Sequence, residues 1–345
     1  MPNKPLVIVD PHFRRMAEIF SPHDLDRLHR TVDVVWGQDD PMPMPAFLEA
    51  LPRARAVVTA DWRYGDVLAQ ASNLRALLTV SGGFPLDLDY ATCFERGIRV
   101  LSAAPAFARQ VAEMSLGMAL AASRNIVLGD QAFRAGEEKW QHEGNVGTFL
   151  LFDKPVGFIG FGSLARALKP LLAPFDCPIS VYDPWLGDGY LQRQGVAPVS
   201  LEELLQTSLV IFVLAVPSSE NRALLSRQLL ELIQPGAVLV LMSRAHVVDF
   251  DALTELVLAG RFKLATDVFP NEPLGQKHPI RNATGAVLSA HRAGSVEEGL
   301  WEIGEMVVDD LEAIARDLPP QRLQLAQPEL VARYASNATS PAGEE

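Results

Sequence analysis

The stretch that most constrains this chain is residues 156–162, with the sequence Val-Gly-Phe-Ile-Gly-Phe-Gly. Residues 163–168 follow at helical spacing, so the sequence predicts a buried parallel strand, a tight turn and a helix. The pattern Gly160-x-Gly162-x-x-Ala165 is that of a dinucleotide-binding turn. Such a turn brings backbone N–H groups to a pyrophosphate, where the helix dipole favours negative charge. Glycine turns also precede helices for packing reasons alone, so the rest of the chain must distinguish the two.

Composition narrows the class of protein. The 345 residues are enough for two domains, and 48% of them are hydrophobic, so large cores can be buried. The net charge of −12 argues against nucleic acid as a partner, because phosphate contacts need Lys and Arg. Cys93 and Cys177 have no metal or redox spacing, which predicts a reducing, cytoplasmic location and no metal site. No apolar run approaches the length of a membrane span, so no membrane partner is expected.

Short β-like runs alternate with amphipathic stretches on both sides of a break at Ala104-Pro105. This alternation predicts parallel sheets with helices on their faces. We expect an α/β protein of two Rossmann-like, doubly wound parallel-sheet domains joined by interdomain helices. Residues 1–104 and 297–345 are expected to form one domain, and residues 105–296, which contain the glycine turn, the other.

The element predictions follow from these patterns. Strands are predicted at 6–9, 32–35, 56–59, 76–80, 98–101, 156–160, 179–182, 209–215, 237–243, 264–268 and 286–290. Helices are predicted at 14–20, 45–51, 62–71, 87–96, 163–174, 201–206, 226–233, 249–260 and 296–316, with one long apolar helix over 106–128. Pro170 is expected to kink or shorten the helix that follows the glycine turn.

Asp183 follows the predicted strand 179–182 and lies 21 residues after Gly162 (183 − 162). A dinucleotide site carries an acid about 20 residues after its glycine turn, where the carboxylate binds the ribose hydroxyls of NAD. The same carboxylate repels the extra phosphate of NADP. We therefore expect NAD as the cofactor, with NADH preferred over NADPH.

Side chains suited to catalysis come at the carboxyl ends of later strands, where open α/β sheets bind ligands. Arg244 and His291 each follow a predicted strand, Asp267 lies near the end of another, and Glu272 lies in the loop after it. Singly, these could be a loop charge, a helix cap or a surface acid. Together, an arginine fork binds a carboxylate, and a histidine exchanges a proton near neutral pH. Glu272 beside His291 would keep it protonated, so reduction of a 2-oxo acid is predicted.

These motifs, in this order, resemble the D-isomer-specific 2-hydroxyacid dehydrogenase family over roughly residues 55–316. The similar segments are Gly160-Phe-Gly-Ser-Leu-Ala165, Ser243-Arg-Ala-His-Val-Val-Asp-Phe-Asp-Ala-Leu253, Asp267-Val-Phe-Pro-Asn-Glu-Pro-Leu274, Ser289-Ala-His-Arg-Ala-Gly-Ser-Val-Glu297 and Val111-Ala-Glu113. The resemblance implies an NAD-dependent enzyme that interconverts a 2-oxo acid and a D-2-hydroxy acid, and a homodimer. It also implies that residues 1–104 and 297–345 form a flavodoxin-like substrate-binding domain, that residues 105–296 form an NAD-binding Rossmann domain, and that the active site lies in the cleft.

The resemblance also implies site residues. Arg244 would clamp the substrate carboxylate, His291 would be the acid/base, and Glu272 its partner. Asp267 would lie near the nicotinamide amide. Cofactor contacts are expected at Gly160, Gly162, Ser163, Leu164, Asp183, Val216, Pro217, Met242, Ser243, Arg244, Asp267, His291 and Gly294. Substrate contacts are expected at Arg244, His291 and the backbone N–H groups of Ser81, Gly82 and Gly83.

Departures from the family pattern leave the substrate open, from a glyoxylate or hydroxypyruvate type to a larger 2-oxo acid. Ala245 replaces a usual glycine, Ala290 a usual proline, and Arg292 beside the histidine is atypical. Candidate pocket residues are Trp62, Tyr64, Phe84, Arg292 and Trp301. Two alternatives are an NADH-responsive corepressor-like binding protein of the same fold and a phosphite-type dehydrogenase.

Overall fold

The computed structural model describes residues 4–216 and 218–335, so the predicted cofactor residue Pro217 lies outside the described residues. The chain divides into two compact units. The central unit is Arg109–Ala293, and the terminal unit combines the described residues on either side of it. Each unit is built on a parallel sheet, which confirms the predicted doubly wound α/β class.

The terminal unit contains a six-stranded sheet in the order β13-β5-β4-β3-β1-β2. Five strands are parallel, and the short β13 pairs antiparallel with β5. The strands are Leu6–Asp10 (β1), Asp33–Trp36 (β2), Ala56–Thr59 (β3), Ala76–Thr79 (β4), Arg99–Ser102 (β5) and Gln324–Leu325 (β13). The helices are Met16–Ile19 (α1), Pro22–Thr31 (α2), Met44–Ala50 (α3), Tyr90–Glu95 (α4), Glu297–Ala315 (α12) and Pro328–Ala335 (α13).

The central unit contains a seven-stranded parallel sheet in the order β12-β11-β10-β9-β6-β7-β8. The strands are Val156–Ile159 (β6), Ile179–Tyr182 (β7), Ala197–Pro198 (β8), Val210–Val213 (β9), Val238–Leu241 (β10), Lys263–Thr266 (β11) and Ala286–Leu288 (β12). The helices are Ala108–Ser123 (α5), Ile126–Ala135 (α6), Ser163–Leu172 (α7), Asp188–Arg193 (α8), Leu201–Thr207 (α9), Arg227–Leu230 (α10) and Phe250–Leu258 (α11).

The strands at the middle of each sheet are buried along their whole length, namely β3 and β4 in the terminal unit and β6, β9 and β10 in the central unit. Every residue of β6, β9 and β10 is buried, because the apolar sequence lets helices cover both faces of the sheet. In the terminal unit, α12 inserts Ile303, Val307 and Leu311 into the core beside the strands. Burial of one such side chain contributes about 1.5–3 kcal/mol. This packing holds the strand ends, and the loops that leave them, in fixed positions.

The structure differs from the helix predictions in the terminal unit. The predicted helix at 62–71 is wrong, because the only helical turn there is the 3-10 turn Leu68–Gln70. Trp62 and Tyr64 both point into the core, which an amphipathic helix would not place two residues apart. The helix α2 was not predicted. Its start is nevertheless marked in the sequence, because Ser21 caps it and Pro22 occupies its first position.

The predicted apolar helix over 106–128 is interrupted. Asn125 has a left-handed backbone with φ of 53°, so α5 and α6 are separate helices. No single helix of the described chain is long and apolar enough to cross a bilayer. The stretch 104–123 passes such a test only together with α6, and the two are bent by 57°. Pro170 lies inside α7, which ends two residues later and continues as the 3-10 turn Ala173–Phe175.

Candidate active site

The glycine turn of the central unit joins β6 to α7 and requires glycine at its first position. Gly160 has φ of 91°, and a Cβ built on it would lie 2.7 Å from the Cα of Ala215. At Gly162, in contrast, a Cβ would meet no heavy atom within 4 Å. Ala165 is fully buried and lets the helix pack close to the strand. The backbone of the turn is therefore constrained at Gly160, whereas the space beside Gly162 is open.

The open side of this turn is lined with unpaired donors. Gly162 is the N-cap of α7, and Ser163 and Leu164 are the first two residues of the helix. The N–H groups of these three residues donate to no residue that the structure describes. The first N–H groups of a ten-residue helix, together with its dipole, form an anion-binding site. The site fits the pyrophosphate of a dinucleotide.

Asp183 follows β7 and reaches back to the turn. Its Oδ2 accepts a hydrogen bond from the Phe161 N–H at 2.8 Å, and its Oδ1 accepts one from the Trp185 N–H at 2.9 Å. Each carboxylate oxygen keeps a further lone pair, so a ribose hydroxyl can still donate to it. The carboxylate thus braces the turn, a contact that sequence spacing alone does not indicate.

A histidine–carboxylate pair stands at the carboxyl edge of the central sheet. The Nδ1 of His291 lies 2.5 Å from the Oε2 of Glu272, and the Phe269 N–H donates to the other carboxylate oxygen at 2.9 Å. The two side chains are 42% and 35% exposed, so this pair is accessible to a small molecule. With Nδ1 held by Glu272, Nε2 is the imidazole nitrogen left to exchange a proton with a ligand.

Asp267 fixes the loop that carries the histidine. It is 1% exposed, and its two carboxylate oxygens accept the N–H groups of Arg292 and Ala293, each at 2.9 Å. Its backbone carbonyl accepts the N–H of His291 at 2.8 Å, and His291 has φ of 51°. Sequence reasoning missed this bracing role. A contact between Asp267 and the nicotinamide amide stays a prediction.

Arg244 completes the set at the strand ends. It follows β10 after the buried Met242 and Ser243, and its Nη1 donates to the Ser243 carbonyl at 2.9 Å. Its side chain keeps contact with solvent, yet the surrounding protein removes enough water to lower the pKa of the guanidinium. The negative charge of Glu272 opposes that shift, which places the two groups within electrostatic reach of each other.

His246 is a second titratable residue near Arg244. Burial lowers the pKa of His246, and the positive charges of Arg222 and Arg244 lower it further. Its Nε2 is buried and has no hydrogen-bond partner among the described residues. His246 therefore favours its neutral form. No group of three or more His, Cys, Asp or Glu side chains suited to a metal ion occurs in the described part of the chain.

In the terminal unit, the loop after β4 forms a second backbone donor site. The Thr79 hydroxyl donates to the Gly83 carbonyl at 3.0 Å, and the Ser102 hydroxyl donates to the Ser81 carbonyl at 3.3 Å. With two carbonyls tied back, the N–H groups of residues 81–83 donate to no described residue. A Cβ on Gly83 would meet nothing within 4 Å, so the approach to these groups is open. Consecutive unpaired N–H groups form a concave anion site.

The other predicted cofactor residues are placed as follows. Val216 is 44% exposed after β9, whereas Met242 and Ser243 are nearly buried. The Ser243 hydroxyl has no partner among the described residues. Gly294 belongs to the terminal unit, where a Cβ on it would lie 2.9 Å from Cδ1 of Phe107.

The proposed pocket roles of two aromatic residues are wrong. Trp62 and Tyr64 are 3% and 2% exposed and lie in the terminal core, with the Tyr64 ring stacked 3.5 Å from Phe47. The Tyr64 hydroxyl donates to the buried Asp10, and burial raises its pKa. The remaining three candidates are at least partly accessible: Phe84, Arg292 and Trp301.

Comparisons with known proteins agree with this geometry. Residues 116–293 match the family model described as "D-isomer specific 2-hydroxyacid dehydrogenase, NAD binding domain". The crystal structure of a phosphoglycerate oxidoreductase from Rhizobium etli has a TM-score of 0.85 and 37% identity, covering 95% of this chain and 100% of that one.

Curated relatives carry two names. The chain is 29% identical to the glyoxylate reductase of Aeropyrum pernix, over 89% of this chain and 93% of that protein. It is 28% identical to the D-3-phosphoglycerate dehydrogenase of Mycobacterium bovis, over 90% of this chain but only 58% of that protein. The chain thus spans just under three fifths of the length of that relative. Because the family model covers more than half of the residues, the chain belongs to the D-isomer-specific 2-hydroxyacid dehydrogenase family.

Proposed function

We propose that this protein is an NAD-dependent oxidoreductase that interconverts a 2-oxo acid and a D-2-hydroxy acid. The observation that carries the proposal is the 2.5 Å contact between His291 and Glu272 at the sheet edge that also bears the glycine turn. A nicotinamide cofactor, held at the turn 160–164, would supply or accept the hydride at the carbonyl carbon. In the direction of reduction, His291 donates a proton from Nε2 to the carbonyl oxygen.

Each neighbour of His291 has a defined task in this reaction. Glu272 holds Nδ1 and thereby fixes the orientation of the imidazole, so that Nε2 faces the ligand side. Arg244 clamps the substrate carboxylate with its guanidinium fork and polarises the carbonyl. In the direction of oxidation, His291 takes the hydroxyl proton, so the same group serves both directions.

The turn of the central unit is suited to hold NAD. The unpaired N–H groups of Gly162, Ser163 and Leu164 would bind the pyrophosphate. Asp183 would accept the ribose hydroxyls, and its charge would repel the extra phosphate of NADPH. NADH is therefore the proposed cofactor in preference to NADPH. The free thiols of Cys93 and Cys177 support a reducing, cytoplasmic compartment.

The loop after β4 is suited to hold the substrate carboxylate. The N–H groups of Ser81, Gly82 and Gly83 are unpaired and accessible, and backbone donors of this kind bind anions. Relatives named glyoxylate reductase and phosphoglycerate oxidoreductase support a small 2-oxo or 2-hydroxy acid as the substrate class.

We also propose a homodimer, formed through α6 and the segment after it. None of the residues of α6 is buried. Large apolar side chains there are exposed, including Ile126 (56%), Phe133 (61%), Trp140 (70%) and Val146 (70%). An exposed apolar surface of this kind marks a protein interface. Lys263 holds the base of this surface, because its Nζ donates to the Ala122 and Gly147 carbonyls and to the Asn125 side chain.

The central test replaces the proton donor. His291→Ala is expected to lower kcat about 10²- to 10⁴-fold with glyoxylate, hydroxypyruvate or phenylpyruvate, because proton transfer loses its donor. NADH affinity, measured by fluorescence titration, is expected to stay unchanged. His23→Ala, which removes an exposed histidine on α2, is the matched control and should leave kcat unaltered.

The result that would overturn the assignment is near-wild-type turnover by His291→Ala with intact NADH binding. A wild-type protein that binds NADH but reduces none of the three acids would favour a non-enzymatic, NADH-responsive role. Oxidation of phosphite by the wild type would favour the phosphite-type alternative.

For the dimer, Phe133→Asp is expected to shift the species in size-exclusion chromatography from dimer to monomer.

A further inference from the structure

An arginine of the terminal unit lies beside the substrate loop and has no part in the proposed chemistry. Arg14 follows β1, and its guanidinium carbon lies 5.6 Å from the ring centroid of Phe107. The edge of that ring lies 3.4 Å from a Cβ built on Gly82. The Phe107 ring therefore neighbours both the Arg14 guanidinium and the loop after β4.

The position of Arg14 is fixed from three sides. The ring of Phe13 lies 5.6 Å from the guanidinium carbon, as does that of Phe107, and the Glu18 carboxylate accepts Nη1 at 2.8 Å. The side chain is only 13% exposed. An arginine held between rings and a carboxylate has lost most of its rotamer freedom before any ligand arrives.

The guanidinium nevertheless has unused donors. Nε of Arg14 is buried without a hydrogen-bond partner among the described residues, and no described residue accepts from Nη2. A mostly buried cation with one carboxylate partner is under-satisfied, and an anion would complete its hydrogen bonds. Arg63 differs in this respect. Its Nη2 donates to the buried Asp10, the Met42 carbonyl and Tyr64, so its hydrogen bonds are made within the core of the terminal unit.

We propose that Arg14 binds a second anionic group at the far end of the substrate, a carboxylate or a phosphate. This rests on the proposed function, in which the N–H groups of residues 81–83 hold the 2-oxo acid carboxylate. Because Arg14 and Gly82 both neighbour the Phe107 ring, we take the two anion positions to be spanned by a substrate chain of about three to five carbon atoms. The guanidinium fork matches both a carboxylate and a phosphate. The substrate class is thus a 2-oxo acid with an anionic tail.

The test compares four substrates that differ only in their tails. They are glyoxylate without a tail, phenylpyruvate with a neutral tail, 2-oxoglutarate with a carboxylate tail and 3-phosphohydroxypyruvate with a phosphate tail. For Arg14→Met, we expect kcat/KM to fall for at least one anionic-tail substrate by about 10- to 100-fold more than for glyoxylate, mainly through KM. The substrate with the larger loss identifies the tail as carboxylate or phosphate.

Two further variants control the result. Arg15→Met removes the same charge from the next, exposed residue and should leave all four values unchanged. Arg14→Lys keeps the charge without the fork and should give an intermediate loss, which covers the case in which Arg14→Met does not fold. Equal losses for glyoxylate and both anionic tails, or no loss at all, would overturn this inference alone. A wild type that reduces none of the four acids would refute the proposed function and this inference with it.

Discussion

Two backbone loops in this protein offer unpaired N–H groups to an anion, and they are built in different ways. In the central unit, the turn 160–164 leaves β6 and enters a ten-residue helix, so the helix itself leaves the donors unpaired. In the terminal unit, the loop 81–83 leaves β4 without entering a helix. Its donors are presented because the hydroxyls of Thr79 and Ser102 hold the intervening carbonyls.

The difference teaches where each site is vulnerable. The turn depends on backbone conformation, because Gly160 is left-handed and lies against the backbone of Ala215. The loop depends on side-chain hydrogen bonds, and Gly83 has no positive φ and open space where a Cβ would stand. Substitution of glycine should therefore damage folding and binding in the first case, and binding alone in the second.

The largest effect is expected for Gly160→Ala. A non-glycine residue at φ of 91° costs about 1–3 kcal/mol, and the new Cβ would lie 2.7 Å from the Cα of Ala215. We expect about 2–4 kcal/mol lower stability in urea unfolding and at least about 100-fold weaker NADH binding by fluorescence titration. Gly162→Ala is the matched control. It should keep stability within about 0.5 kcal/mol and weaken only the binding, because its Cβ enters open space.

If Gly160→Ala is as stable as the wild type, the turn tolerates a Cβ. The claim that the turn depends on the backbone conformation of Gly160 would then be contradicted. If Gly162→Ala unfolds as readily as Gly160→Ala, the space at Gly162 is not open in solution. Either outcome is visible in the same urea transitions, before any cofactor is added.

The next effect tests the substrate loop. Gly83→Ala is expected to leave stability unchanged or raised by about 0.4–1 kcal/mol, because alanine restricts the unfolded chain. Its Cβ stands beside the unpaired N–H groups, so KM for glyoxylate should rise about tenfold, or about 1.4 kcal/mol. NADH affinity should not change. A KM equal to that of the wild type would show that the substrate carboxylate does not approach Gly83.

A smaller effect is expected when the hydroxyl support of the loop is removed. Thr79→Val deletes the hydrogen bond to the Gly83 carbonyl at a fully buried position, at a cost of about 1–2 kcal/mol. The loosened loop should raise KM for glyoxylate about threefold, or roughly 0.7 kcal/mol. Thr254→Val deletes a similar buried bond, to the Phe250 carbonyl in α11, and should cost similar stability without any change in KM. Identical KM values for the two variants would contradict a role for Thr79 in presenting the loop.

The fold was predictable from sequence wherever burial dominated. The strands β6, β9 and β10 contain only apolar residues and glycine, and prediction placed them within two residues of their observed bounds. The strands β8 and β13 have two residues each, which is too short for any periodic signal. The predicted helix at 62–71 was wrong because Trp62 and Tyr64, only two residues apart, both pack into one core through irregular backbone, which a helix would not allow.

The candidate site was predictable to the level of residue types at strand ends. Arg244, Glu272 and His291 are drawn together at one edge because parallel strands end on the same side. The bracing contacts of Asp183 and Asp267 were not predictable, since they depend on which backbone N–H groups come within 3 Å of a carboxylate. The same holds for the hydroxyl supports of loop 81–83, because Thr79 and Ser102 are on different strands.

The smallest expected effect is on how the free energy of unfolding changes with pH. Supports of the substrate loop are hydroxyls, which do not titrate, whereas the central unit carries His246 close to Arg244. The pKa of His246 is lowered by burial and by two arginine charges, so at pH values just below the ordinary 6.5 the unfolded chain binds more protons than the folded one. Stability is therefore lost as pH falls through that range, with a slope of at most about 1.4 kcal/mol per pH unit for one proton.

His246→Gln removes this proton uptake. The unfolding free energy is measured by urea titration at pH 7.5 and at pH 5.5. The difference between the two values should be smaller in the variant than in the wild type, by up to about 1 kcal/mol. His23→Gln, at an exposed position on α2, is the matched control and should follow the wild type. A variant that loses as much stability on acidification as the wild type would show that His246 is not neutralised by its surroundings.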